Sequence, residues 1–144
     1  MSSAEARRLS HARRQARRVA MQALYQWQMT GYEPKDILLQ YRDDPELEKA
    51  DREYFRDLLL GVTDEVTDLD ELLTPHMDRA VEQLDPVERA ILRLATFELK
   101  ERMDIPYRVV INEAVELTRK FGATDAYKYV NGVLDKLRRE LREI

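Results

Sequence analysis

Residues 104–141 read DIPYRVVINEAVELTRKFGATDAYKYVNGVLDKLRREL, and this stretch decides the fold. Val110, Ala114, Leu117 and Phe121 stand at i, i+4, i+7 and i+11, and Val130, Leu134, Leu137 and Leu141 repeat that spacing. Each set is an apolar stripe of helical period on an otherwise polar segment. Pro106 suits a first helical turn, where its missing N–H costs no intrahelical bond. Gly122 falls where a helix commonly ends in a left-handed residue, and Thr124 is placed to cap the next helix. The reading is two helices joined by a very short turn, hence neighbours, and the framework of the core. Asn131-Gly132 interrupts the second helix. A glycine there costs about 1 kcal/mol relative to alanine, so close approach of another backbone, with Asn131 bonded inside the bundle, is the expected reason.

Toward the N-terminus, Asp85-Pro86-Val87-Glu88 has the form of a capping box. The helix it opens carries Val87, Ile91, Leu94, Ala95 and Leu99. Thr74-Pro75 predicts a further helix to about Gln83. Asp51 caps a helix whose stripe runs Phe55, Leu58, Leu59, Val62, Val66 and Leu69. A short helix spans Pro34 to about Tyr41, followed by a polar loop from Arg42 to Lys49. The first helix runs from about Leu9 to Met29, with residues 1–8 frayed. No segment alternates with period two between turn signals, so no strands are expected. The prediction is an all-α fold, residues 1–144 forming one compact domain of about seven helices.

The bulk numbers agree. A chain of 144 residues buries roughly 70% of its unfolded surface and needs no staple. It contains no cysteine, which removes disulfides, thiolate metal sites and cysteine nucleophiles from consideration. No apolar run approaches the ~20 residues of a membrane span, and no signal-peptide core is present. A soluble, cytoplasmic protein with no membrane partner is expected. The net charge is −4, but residues 1–20 hold six arginines against Glu5 alone, a local balance of +5 that leaves −9 for the remainder. Such asymmetry points to a basic region that meets an anion.

Arg13, Arg14, Arg17 and Arg18 crowd one side of the first helix, and Arg14, Arg18, Gln22 and Tyr25 share a face. Arginine binds phosphate through its planar fork, and an aromatic ring stacks a splayed base. A merely solvated helix face is the competing account, although such faces usually mix signs at i+4. In the turn, Asp125 is explained equally by the dipole of the following helix and by a carboxylate accepting from a base amino group. Lys128 and Tyr129 fall off the apolar stripe and form an exposed cation beside an aromatic ring, while Tyr127 falls on it and is read as core. Carboxylates at Asp64, Glu65, Asp68, Asp70 and Glu71 lack the ligand spacing of a metal loop. Two histidines without cysteine make a zinc site unfavourable. With no phosphate loop and no nucleophile–base arrangement, no enzyme, cofactor or metal is expected.

These residues resemble a known family. Arg13-Arg14 with Arg17 and Ala23-Leu24-Tyr25-Gln26-Trp27-Gln28 look like the opening helix of the bacterial NusB transcription antitermination factors. Residues 54–62, the run Ile105-Pro106-Tyr107 through Ile111-Asn112-Glu113-Ala114, and Phe121-Gly122-Ala123 with residues 130–136 are similar to that family's later markers, in order. The resemblance implies two packed helical bundles. It implies pairing with NusE, a small-subunit ribosomal protein, and binding of single-stranded boxA RNA in nascent transcripts, notably ribosomal RNA leaders. It also implies a place, with other Nus factors, in an antitermination complex on RNA polymerase. By position it puts Arg13, Arg14 and Arg17 on RNA phosphates, with Arg18 offsetting the Gln15 that interrupts the family's arginine run. Phe121, Asp125 and Tyr129 fall at the RNA surface, Tyr25 at RNA, NusE or packing, and Glu88 at NusE. Some ribosomal RNA cytosine methyltransferases carry a similar N-terminal domain, and 144 residues leave no room for their catalytic one. A pure protein adaptor, its arginine helix meeting an acidic partner, is the alternative of a different class. The RNA reading requires Arg13–Arg18 and Phe121–Tyr129 to share one surface.

Overall fold

A computed structural model describes residues 2–142. Seven α-helices and no strands stand among the described residues. They are α1 (Ser3–Thr30), α2 (Pro34–Gln40), α3 (Arg52–Asp64), α4 (Val66–Leu73), α5 (Pro86–Glu101), α6 (Tyr107–Phe121) and α7 (Ala126–Arg142). Short 3-10 turns occur at Pro45–Leu47, Thr74–His76 and Val81–Gln83. The chain clusters into two compact units, Met1–Thr63 and Asp64–Ile144.

The first unit is built on α1. The helix begins at Ser3, with Ser2 Oγ accepting from the Glu5 amide at 3.1 Å, so residues 3–8 are helical rather than frayed. Ala16, Val19, Ala20, Ala23 and Leu24 form its buried face, and the three alanines allow close packing. Gly31 ends it at φ 70°, a left-handed conformation that glycine adopts without strain, and its N–H returns to the Trp27 carbonyl at 2.9 Å. The expected polar loop contains a 3-10 turn that buries Leu47. Asp51 caps α3 as predicted, Oδ1 accepting from the Tyr54 amide at 3.0 Å, and its own amide donates to the Ala12 carbonyl.

The single long helix expected from Asp51 to Leu69 is two helices. The break falls at Glu65, whose backbone leaves the helical region at φ −105°, ψ 15°. No glycine or proline marks it. Thr63 Oγ1 bonds back to the Leu59 and Leu60 carbonyls, the competition that bends helices, and Lys100 Nζ holds the Glu65 carboxylate.

The second unit surrounds α5, which is buried on every side from Ala90 to Leu99. Its polar residues are satisfied there: Arg93 forms a two-pronged bond to Asp70 at 2.9 and 2.8 Å, and Thr96 Oγ1 donates to the Leu92 carbonyl. Near the end of α7, the Arg142 guanidinium donates to the Leu99, Ile105, Glu98 and Arg102 carbonyls at 2.7–3.1 Å. The Glu98 and Arg102 carbonyls also accept from the Arg102 and Ile105 amides, so the guanidinium ties the end of α7 to the chain leaving α5. The α6–α7 hairpin is as predicted, with Val110, Ala114, Leu117, Val130, Leu134 and Leu137 buried. Leu141 is half-buried, and Phe121 leaves the stripe for the surface. Tyr127, expected in the core, is half-buried beneath the Arg119 guanidinium at 4.1 Å.

The helix expected from Thr74 to Gln83 is absent. Thr74 Oγ1 bonds back to the Asp70 carbonyl instead of capping forward, and Met77 and Ala80 are extended between the two 3-10 turns. The helix count thus agrees through two compensating differences: one expected helix is two, and another does not form.

Candidate nucleic-acid interface

Within the first unit, the basic residues of α1 separate into two kinds. Arg17 is only 3% exposed, and its guanidinium carbon lies 5.4 Å from the Tyr54 ring centroid. Arg13 is half-buried over the same ring at 5.2 Å, with Nε 3.9 Å from Asp51 Oδ2. Two guanidinium groups on one buried tyrosine brace α1 against α3. Arg18 is paired, Nη1 to Glu46 Oε1 at 2.8 Å. The acidic partners missing at i+4 thus come from other segments. Arg14 is exposed.

The outward basic face is shifted from the one the sequence indicated. Because α1 starts at Ser3, Arg7, His11, Arg14 and Arg18 fall at i, i+4, i+7 and i+11, one continuous stripe of period 3.6. Arg7, Arg8 and His11, with Ala4 and Lys49, line an open cleft of about 470 Å³ that bears no carboxylate. Treating residues 1–8 as frayed concealed it, although Arg7 and His11 extend the spacing of Arg14 and Arg18. At its other end the stripe becomes apolar, with Tyr25 and Met29 exposed, and Tyr32 just past the helix is exposed as well.

Within the second unit, the α6–α7 turn is held from three sides. Gly122 is extended (φ −88°, ψ 179°), not left-handed. It is glycine because a Cβ there would lie 2.8 Å from the Thr118 carbonyl oxygen and 2.9 Å from Thr118 Cγ2. The left-handed residue is Asp125 at φ 67°, a conformation aspartate tolerates better than most side chains. Its Oδ1 lies 3.7 Å from Lys128 Nζ, both groups exposed. Glu88 does not close the expected capping box: Asp85 Oδ1 accepts from the Val87 amide, while Glu88 Oε2 accepts from the Ala123 amide at 3.2 Å. At 8% exposure Glu88 is a brace for the turn and offers a partner little surface.

The turn presents Phe121, 41% exposed. Tyr129 is not the open ring the sequence suggested. It is half-buried, its hydroxyl is sealed from solvent without a hydrogen bond, and the Arg79 guanidinium covers the ring at 4.7 Å. Burial pushes the Tyr129 phenol above its ordinary pKa. Asn131 and Gly132 also depart from expectation. Both are exposed, and a Cβ built on Gly132 meets nothing within 4 Å. They are not a packing device.

NusB of T. maritima superposes with a TM-score of 0.78 at 32% identity, covering 88% of this chain and 91% of that one. The NusB fold in a complex of antitermination factors NusB and NusE with dsRNA superposes at 0.80 with 26% identity, covering 88% and 96%. In sequence, the chain is 62% identical to the transcription antitermination protein NusB of Alcanivorax borkumensis over 91% of its length and 87% of that protein. It is 53% identical to that of Pseudomonas savastanoi pv. phaseolicola over 94% and 82%. The NusB family profile matches residues 14–139, and the chain belongs to the NusB family, whose members are transcription antitermination factors and not enzymes. Among the described residues no helix is long and apolar enough to cross a membrane.

Proposed function

We propose that this protein acts in transcription antitermination by binding single-stranded boxA RNA of nascent transcripts, notably ribosomal RNA leaders, together with NusE. In this reading it works in the cytoplasm and helps other Nus factors assemble on RNA polymerase. The observation that carries the proposal is the stripe Arg7, His11, Arg14 and Arg18 with the carboxylate-free cleft beside it. Three arginines and a histidine along one face of a long helix suit a phosphate backbone, with Arg7 and Arg14 the most open and Arg18 shared with Glu46. Arg13 and Arg17 support it from beneath, through Tyr54. Phe121, Asp125 and Lys128 supply an exposed ring, acceptor and donor on a fixed turn, the groups needed to distinguish bases. Tyr25 and the apolar end of the stripe suit a protein partner, and the relative crystallised with NusE and RNA supports NusE in that role. Glu88 enters this reading as the brace of the turn.

The test is titration of a labelled boxA-like strand and a scrambled strand of equal length, each single-stranded and as duplex, with and without NusE. The duplex arm matters because the relative's complex contains dsRNA. Tighter binding of the boxA strand, strengthened by NusE, is expected, with a log–log salt slope of about −0.7 per phosphate neutralised. Equal affinity for all four RNAs refutes sequence reading. Retained affinity after replacing Arg7, Arg14 and Arg18 with alanine refutes the stripe.

A further inference from the structure

The segment from Met77 to Ala80 belongs to none of the expected sites, yet it puts a cation on an aromatic ring of the candidate interface. Arg79 is held on two sides. Its Nε and Nη2 donate to Asp78 Oδ1 and Oδ2 at 2.8 and 3.3 Å, and its guanidinium carbon sits 4.7 Å from the Tyr129 ring centroid. The Asp78 carboxylate is held below its ordinary range, chiefly by that fork, and the Arg79 guanidinium is correspondingly raised. Glu88, the brace of the α6–α7 turn, adds a second favourable field at Arg79. The Arg79 side chain is nonetheless 46% exposed.

A guanidinium carries five N–H groups, and Asp78 takes two of them. The rest remain on a fork fixed by stacking and by a carboxylate. We infer that Arg79 is an RNA-contacting residue, gripping a strand phosphate, and that Tyr129 is its platform rather than a stacking surface for a base. The inference rests on the RNA-binding reading of this unit and names the group that makes the contact there. A fixed fork recognises the planar pair of phosphate oxygens with little ordering left to do on binding. The Tyr129 hydroxyl is sealed from solvent beside Asp78, out of reach of a bound strand. A base could stack on this face of Tyr129 only after Arg79 had left it.

The experiment titrates the full chain, with NusE present, against the labelled boxA-like strand over a range of salt. Arg79→Ala is expected to weaken binding about tenfold and to make the salt slope shallower by about 0.7, one phosphate contact. Arg79→Lys keeps the charge but loses the fork, so it restores the slope and only part of the affinity. Tyr129→Leu loses the platform and weakens binding like Arg79→Ala, and the double variant is no weaker than either. Wild-type or tighter binding by Arg79→Ala, with a loss in Tyr129→Leu, overturns the inference, because the bare ring would then be the contact. Additive losses overturn it as well. Failure of the wild-type protein to bind RNA overturns the RNA-binding reading itself. Far-UV circular dichroism confirms that each variant is folded, and Arg79 is exposed enough that alanine should not disturb the core.

Discussion

Two glycines ten residues apart should respond to the same substitution with opposite signs. Gly132 lies inside α7 on an exposed face, and a Cβ there meets nothing within 4 Å. Gly132→Ala therefore gains helix propensity with no steric cost, about 0.8–1.0 kcal/mol of stability. That is a rise of about 3 °C in Tm for a protein of this size. Gly122 has an extended backbone that alanine can adopt, so restricting the unfolded chain favours the variant by about 0.4–1 kcal/mol. Against this, the new Cβ would stand 2.8 Å from the Thr118 carbonyl oxygen. That oxygen accepts the Gly122 amide at 2.8 Å and cannot retreat without lengthening the bond. Overpacking of this kind costs about 1–3 kcal/mol, so Gly122→Ala should be destabilised by about 1–2 kcal/mol. Urea unfolding followed by far-UV circular dichroism measures both, with unchanged m-values as the condition for comparison. A neutral or destabilised Gly132→Ala would mean that something in the folded chain does occupy the space above Gly132. A stabilised Gly122→Ala would refute the close approach at Thr118.

Three further outcomes follow from the second unit. Arg142→Ala removes charge-assisted bonds to four carbonyls; because water reaches this half-buried place, the loss in urea unfolding should be about 2–3 kcal/mol rather than the full sum, and a loss under 1 kcal/mol would show that water replaces the clamp. Glu88→Ala should speed hydrogen exchange at the Ala123 amide about tenfold, while Glu88→Gln, which keeps an acceptor, should not; equal protection in all three proteins would remove Glu88 as the brace. The Asp78 carboxyl has its folded pKa depressed, so its contribution is present above the unfolded carboxylate pKa and is lost as pH falls through the lower folded value. The Arg79 fork should accordingly survive acidification through the ordinary carboxylate range, and an NMR titration of Asp78 at the ordinary aspartate value would refute it.

The α6–α7 hairpin was legible because its buried positions keep a single period, and Asp51 and Asp85 were legible because caps act within three residues. The α3–α4 break was hidden because its cause is Thr63 bonding backward and Glu65 held by Lys100, neither of which leaves a glycine or proline in the sequence. The Thr74-Pro75 signal failed because the threonine hydroxyl has two possible directions and took the one completing α4. At the candidate interface, residue types were readable and placements were not. Arg17 looks like its neighbours in sequence, but Tyr54, far along the chain, draws it under the surface. Tyr129 looked open because Arg79 approaches from a segment that had been read as helix. Asn131-Gly132 was read as packing because the cost of a helical glycine is visible in sequence, while the empty space above it is not.

The burial of α5 bears on how variation in this family should be interpreted. A helix without a solvent side from Ala90 to Leu99 has no position where a change is free, and Arg93, Thr96 and Glu98 are as enclosed as their apolar neighbours. Charged residues that resist substitution are ordinarily taken as marks of a binding surface. On this helix the same resistance would report only that a buried guanidinium is held by the Asp70 carboxylate. A scan of all single substitutions should therefore show its deepest intolerance along α5. Positions that affect RNA binding without affecting expression should be sought on α1 and around Arg79.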